Sequence, residues 1–201
     1  VDTDGTAFYQ FLMLFNSSED KKRLPIRAAF VTDEDQFTES KDSKYNLDEL
    51  VKEDYKILEE LRNGINKSKR DSHIDNLKAM CNNQENIFIA SGVKTLEYQI
   101  CLANIATTAA EIKSSSLFEY VKELNPNGIK KIETYLSSIS SESLNDEQRQ
   151  NTAILLWKCL SSKAGFAQGL SAFLMDKLDN HQEIHFSVPK YIENAINHLI
   201  S

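Results

Sequence analysis

The sequence predicts an α/β fold: a parallel sheet flanked by helices, with a helical insertion. Three observations carry that expectation. Two β-favouring apolar runs, 26–31 and 87–90, are separated by long stretches of helical periodicity, and parallel strands need crossovers of that kind. Each run gives way to polar residues at its carboxyl end, where open α/β sheets bind ligands. The chain returns to extended structure once more, at 183–188, before a last helix. At 201 residues, 41% hydrophobic and 26% charged, it has the size and composition of one globular domain with room for an insertion.

Taken in order, Val1-Asp2-Thr3-Asp4-Gly5 reads as the end of a strand plus a turn, so the chain is expected to be part of a longer protein. Phe8, Phe11, Leu12, Leu14 and Phe15 then recur on and beside one helical face. A polar loop, 16–23, precedes the first strand, and the Ser/Lys/Asp-rich segment 37–46 reads as a surface loop. Leu47, Leu50, Val51, Tyr55, Leu58 and Leu61 keep helical spacing up to the breaker pair Asn63-Gly64. A helix is expected over 71–82, a buried strand over 87–90, and a long helix from Thr95 through Ile112. Three helices follow between 114 and 157, with N-cap chemistry for the last of them around Ser143-Leu144-Asn145-Asp146-Glu147. The insertion is assigned to 113–158. Lys163 through Leu178 forms another helix, and Pro189 opens the terminal one in its first turn.

The net charge of −7 argues against a broad basic surface that grips nucleic acid by counterion release. No apolar run is long enough to span a bilayer, and no secretory signal is present, so a cytoplasmic location is expected. Cys81, Cys101 and Cys159 have no metal-ligand spacing and read as reduced thiols, at least two of them on core helix faces.

Chemistry concentrates at three places. The strand ending Phe30-Val31-Thr32-Asp33-Glu34-Asp35 presents an Asp-x-Asp pair whose alternation lets Asp33 and Asp35 point the same way. Carboxylates so close repel each other unless a cation intervenes, and hard divalent ions take such oxygen ligands. After the second strand, Thr95 stands where it can cap a helix, with Glu97 in the first turn, where the helix dipole favours an anion. Lys163 opens a helix whose dipole opposes its charge, a placement suited to facing phosphate or balancing carboxylates.

Together these segments resemble the Toprim domain of the OLD (overcoming lysogenisation defect) family of ATP-dependent endonucleases. The resemblance runs through Leu24-Pro25-Ile26-Arg27 to Thr32-Asp33-Glu34-Asp35, then Lys94-Thr95-Leu96-Glu97-Tyr98. It continues in Ser162-Lys163-Ala164-Gly165-Phe166-Ala167-Gln168 and ends in Phe186-Ser187-Val188-Pro189-Lys190-Tyr191-Ile192. The four motifs keep their order over nearly the whole chain.

The resemblance implies a Rossmann-like Toprim sheet and metal-dependent cleavage of DNA (RNA remaining open) with two Mg²⁺ or Mn²⁺ ions, in a setting such as phage defence. Asp33, Asp35 and Glu97 match the metal ligands, and Thr95 falls where a hydroxyl near the metal is expected. Lys163 matches the lysine that neutralises charge developing on the phosphoryl group, and Asp33 and Lys163 are the residues expected to be catalytic. The family's ABC-type ATPase region, through which ATP would act, has no Walker motif here. The Toprim glutamate in a Glu-Gly context is not found upstream of Asp33; its natural place lies before Val1. A homo-oligomer is expected of the full-length parent. A degenerate Toprim serving as a dimerisation or docking module, and a receiver-like Mg²⁺-binding signalling domain, are the alternatives. The second run ends in Ala90-Ser91, where a receiver needs its phosphorylatable aspartate.

Other groups read as ordinary structure. His181 and His185 lack the glutamate of a His-Glu-x-x-His zinc helix. Asp71, His73 and Asp75 fall on a helix, Lys67, Lys69 and Arg70 in a solvated loop, and Tyr98 and Tyr191 beside apolar neighbours.

Overall fold

The computed structural model describes residues 8–15, 24, 26–34, 45–67, 72–81, 85–139, 142–160 and 163–201. The chain divides into two compact units, one comprising 1–36, 69–96 and 189–201, the other 37–68 and 97–188. The first is a small α/β unit and the second is helical, so the helical part takes in more of the chain than the segment 113–158.

In the α/β unit, strand β1 (Ala28–Asp33) pairs in parallel with β2 (Ile87–Gly92), Phe30 facing Ile89 and Asp33 facing Gly92. One face of this two-stranded sheet carries Phe30, Ile87 and Ile89, the residues a two-residue alternation puts together. Helices α1 (Phe8–Phe15) and α4 (Ser72–Cys81) cover that face. Phe8 and Leu12 of α1 are four residues apart and both buried, and the Phe8 ring meets Phe30 edge-on at 5.4 Å between centroids. From α4, Ile74, Leu77 and Cys81 complete the cluster. Helix α11 (Lys190–Ile200) lies against both strands, and the His198 ring stacks on Phe88 at 5.5 Å. Arg27 Nη1 donates to the His198 carbonyl at 3.1 Å, tying the end of α11 to the start of β1. Pro189 stands at the N-cap position, one residue earlier than the first turn, and its carbonyl accepts from Ile192 and Glu193.

The helical unit is built from α2 (Leu47–Leu50), a 3₁₀ turn (Glu53–Tyr55), α3 (Lys56–Lys67), α5 (Leu96–Ala103), α6 (Ala109–Lys113), α7 (Ser116–Leu124), α8 (Pro126–Ser138), α9 (Asp146–Lys158) and α10 (Lys163–Asp179). Its core runs through Leu58, Cys101, Ile112, Leu117, Phe118, Ile129, Ile132, Ile154 and Leu155, all essentially solvent-free. Polar residues inside it are satisfied in a chain: Arg62 reaches Asn151, whose amide donates to the Tyr135 hydroxyl at 3.1 Å. Local side chains fix the helix starts. Asn46 with Glu49, Thr108 with Glu111 and Asn145 with Gln148 form capping boxes, and Asn125 caps α8 with Pro126 in its first turn.

Four expectations are corrected. The run 47–61 is not one helix: Asp54 and Tyr55 take left-handed backbone angles and split α2 from α3. Asn63-Gly64 does not stop α3, which continues to Lys67. A single glycine costs a helix about 1 kcal/mol, and buried Leu61 and Ile65 on either side outweigh that. The expected helix 95–112 is two helices, because the Thr108 capping box starts a new one after the turn at Asn104. Finally, the extended piece 183–188 pairs with no strand among the described residues. It is a strap held by side chains acting as peptide groups. The Asn104 amide donates to the Ser187 carbonyl and accepts from the Ser187 N–H, at 2.9 and 2.8 Å. Ser116 donates its N–H to the His185 carbonyl and accepts the His185 N–H on its hydroxyl.

Candidate functional site

The β1–β2 register brings Asp33 level with Gly92, so both strands end together and the chain beyond β2 turns at their carboxyl edge. Asp33 is half-buried at that edge. Glu34, the residue between the two aspartates, is tied down. Its N–H donates to the Gly92 carbonyl at 2.6 Å, and its carboxylate accepts from the Ser91 hydroxyl at 2.5 Å. The alternation that places Glu34 against β2 turns Asp33 away from it.

Thr95 stands three residues past β2 and is buried, 3% exposed. The sequence suggests a helix cap, yet among the described residues its Oγ1 has no hydrogen-bond partner, so the hydroxyl is not spent on the first turn of α5. An unsatisfied buried hydroxyl costs about 1–3 kcal/mol and is rare in folded proteins. Lys94 beside it is also buried, 4% exposed, and brings positive charge to the same end of the sheet. Buried charges are held by partners, and Lys94 has them.

Of the other assigned residues, Glu97 lies in the first turn of α5, 8% exposed, and belongs to the helical unit. Lys163 is the first residue of α10, as the sequence predicts, also in the helical unit, and its side chain lies outside the described part of the structure. Asp35 lies outside the described residues. Thus the α/β unit holds Asp33 and Thr95 at one edge, with the bonded pair Glu34 and Ser91 and the buried Lys94 at the same end of the sheet, three residues that sequence reasoning missed. The available signal was the polar Ser91 at a strand end level with an acidic one.

The donor chemistry fits a hard divalent ion: the Asp33 carboxylate, and the Thr95 hydroxyl, which has no hydrogen-bond partner among the described residues. Among the described residues no group of three or more His, Cys, Asp or Glu stands in position to hold a metal. Elsewhere, the residues set aside behave as structure. Tyr98 is core, its ring edge-on to Trp157 at 5.7 Å. His185 pairs with Glu183 at 3.2 Å on the surface. Asp75 is exposed on α4, while Asp71, Lys69 and Arg70 lie outside the described residues. Cys81, Cys101 and Cys159 are free and buried. No described helix is long and apolar enough to cross a membrane. No protein-family model, curated protein or solved structure matches this chain.

Proposed function

We propose that this chain is the Toprim nuclease domain of an OLD-like ATP-dependent endonuclease and takes part in metal-dependent cleavage of DNA phosphodiesters. The observation that supports the reading best is the buried, unpartnered Thr95 hydroxyl at the edge where β1 delivers Asp33. Such an oxygen is costly in a fold and useful beside a cation. Asp35, Glu97 and Lys163 are assigned on the sequence resemblance alone. Asp33, Asp35 and Glu97 would hold Mg²⁺ or Mn²⁺ with Thr95 adjoining. When bound, the ions supply Lewis-acid stabilisation and an activated water for in-line displacement. Lys163 would offset negative charge on the phosphoryl oxygens, and ATP would act through the family's ATPase region.

The test is calorimetric titration of the chain with Mn²⁺ and Mg²⁺, wild type against Asp33→Ala. Binding at millimolar concentration or tighter that disappears in Asp33→Ala is the expected result. Absence of binding in folded wild type, or equal binding in folded Asp33→Ala, would sink the nuclease reading in favour of a docking module.

A further inference from the structure

A cavity of about 630 Å³ opens within the helical unit, between the turn after α5, the segment around Ser114, Arg149 of α9 and the strap. Small-molecule sites span roughly 300–1,000 Å³, with mainly apolar walls and a few fixed polar groups. Ile105, Ile184 and Phe186 supply the apolar wall. Much of the rest of the lining is polar, with Asn104, Glu111, Ser114, Ser115 and His185 around it, and its permanent cation is Arg149. Its Nε and Nη2 both donate to the Ile105 carbonyl, at 3.2 and 2.9 Å, which sets the plane of the guanidinium. The carboxylates near it compete weakly. Asp146 stands 3.8 Å from Nη1, beyond hydrogen-bond range, with a side chain 94% exposed. Glu111 also lines the cavity as an ionised carboxylate held toward Thr108 and Thr107, with the Thr108 hydroxyl and N–H both donating to it, so an oxyanion has to sit on the Arg149 side, away from it. Those bonds hold its carboxyl below the usual range. Arg149 is therefore an oriented cation with fork hydrogens to spare beside an apolar wall. The wall itself is fixed, because Asn104 and Ser116 pin the strap by its backbone at Ser187 and His185.

We infer that this cavity binds a small organic oxyanion, a carboxylate or phosphate monoester with an apolar or aromatic body, with Arg149 holding the oxyanion and Phe186 and Ile184 packing the body. Arginine matches such planar, two-oxygen groups better than lysine does. The site is independent of the sheet edge that carries Asp33.

Titration of the full chain with phenyl phosphate, benzoate, inorganic phosphate and benzyl alcohol, followed by ¹H–¹⁵N NMR, tests it. The two aromatic oxyanions are expected to shift the amides of 103–106 and 184–187 and the Arg149 Nε–H, with inorganic phosphate and benzyl alcohol each weaker. Phenyl phosphate against benzoate then tells which oxyanion is preferred. Arg149→Met is expected to weaken binding by about 10- to 100-fold, the size of a lost charge-assisted hydrogen bond, and Arg149→Lys by less. Asp33→Ala should leave it unchanged. Shifts that fall elsewhere or are absent for both aromatic oxyanions, or equal affinity in a folded Arg149→Met, would overturn the proposal. If Arg149→Met does not fold, the location of the wild-type shifts decides.

Discussion

The α/β unit and the helical unit spend their residues differently. The helical unit buries a long continuous series of apolar side chains and satisfies its polar interior through Arg62, Asn151 and Tyr135. Among the described residues, the α/β unit closes a small cluster around Phe30 with two strands, and leaves the Thr95 hydroxyl buried without a partner. Among the described residues, the buried side-chain atoms left without a partner, Thr95 Oγ1 and His198 Nε2, both fall in the α/β unit, the first at the carboxyl edge of its sheet and the second on the helix against Phe88. Such conflicts, where a fold keeps an arrangement that costs it stability, concentrate at functional positions. That contrast points to the α/β unit, and within it Thr95 is the orphaned group that lies at the Asp33 edge.

The strongest way to test the contrast is to damage the larger core. Phe118 is 1% exposed at the centre of the helical unit, and Phe118→Ala is expected to cost about 3–5 kcal/mol. Trp157, the chain's one tryptophan, lies in that unit and reports its unfolding by fluorescence in denaturant. A loss under about 1 kcal/mol would mean that the site collapses onto the gap and that the core is not tightly packed.

Alkaline pH should separate the two units next. Burial pushes the Cys159 thiol up to about 12 from 9.0 and the Tyr98 phenol up to about 12 from 10.0, and raises the Cys101 thiol as well. A group whose folded pKa stands above its unfolded value helps the fold fully below the unfolded value, and that help is lost as pH rises through the folded one. The helical unit, which holds all three, is therefore expected to lose stability from about pH 9 to pH 12, whereas the α/β unit has Cys81 alone of this kind among its described residues. Unfolding midpoints of Trp157 fluorescence that stay level over that window would contradict the burial of these groups.

The smallest stability change is the sharpest discriminator. Thr95→Val keeps the shape of the side chain and removes the orphan oxygen. It is expected to leave stability unchanged or raise it by about 1 kcal/mol, while Mn²⁺ affinity falls. A clear loss of stability in Thr95→Val, with metal binding intact, would return Thr95 to an ordinary structural role.

How far the sequence could be read differs between the units for a physical reason. Strand ends and apolar alternation are local, so β1, β2 and the placement of Asp33 and Thr95 were legible. Helices α7 to α9 were legible too, since Asn125-Pro126 and Asn145 announce their own starts. What escaped depended on packing or on angles that residue type hides. Nothing in Asp54-Tyr55 declares a left-handed turn, and the persistence of α3 past Gly64 rests on Leu61 and Ile65 being buried. The Thr108–Glu111 box was a readable signal that the strong apolar periodicity of 95–112 overrode. At the site, the tie between Glu34 and Ser91 joins residues far apart in sequence, and only the parallel register brings them together.

Asn104 has a consequence for what this chain can tolerate. With 6% of it exposed, it holds the Ser187 peptide from both sides while also donating to the Ile100 carbonyl. In effect it impersonates a neighbouring strand, so the strap needs no sheet to run straight. Only an amide of this length can play the part. Aspartate would set a second acceptor against the Ser187 carbonyl, glutamine would overreach, and leucine would leave two peptide groups unanswered. The path of the strap around Ser187 is thus written into one residue just past the end of α5, as its path at His185 is into Ser116. Asn104 is where drift in the sequence should be least free.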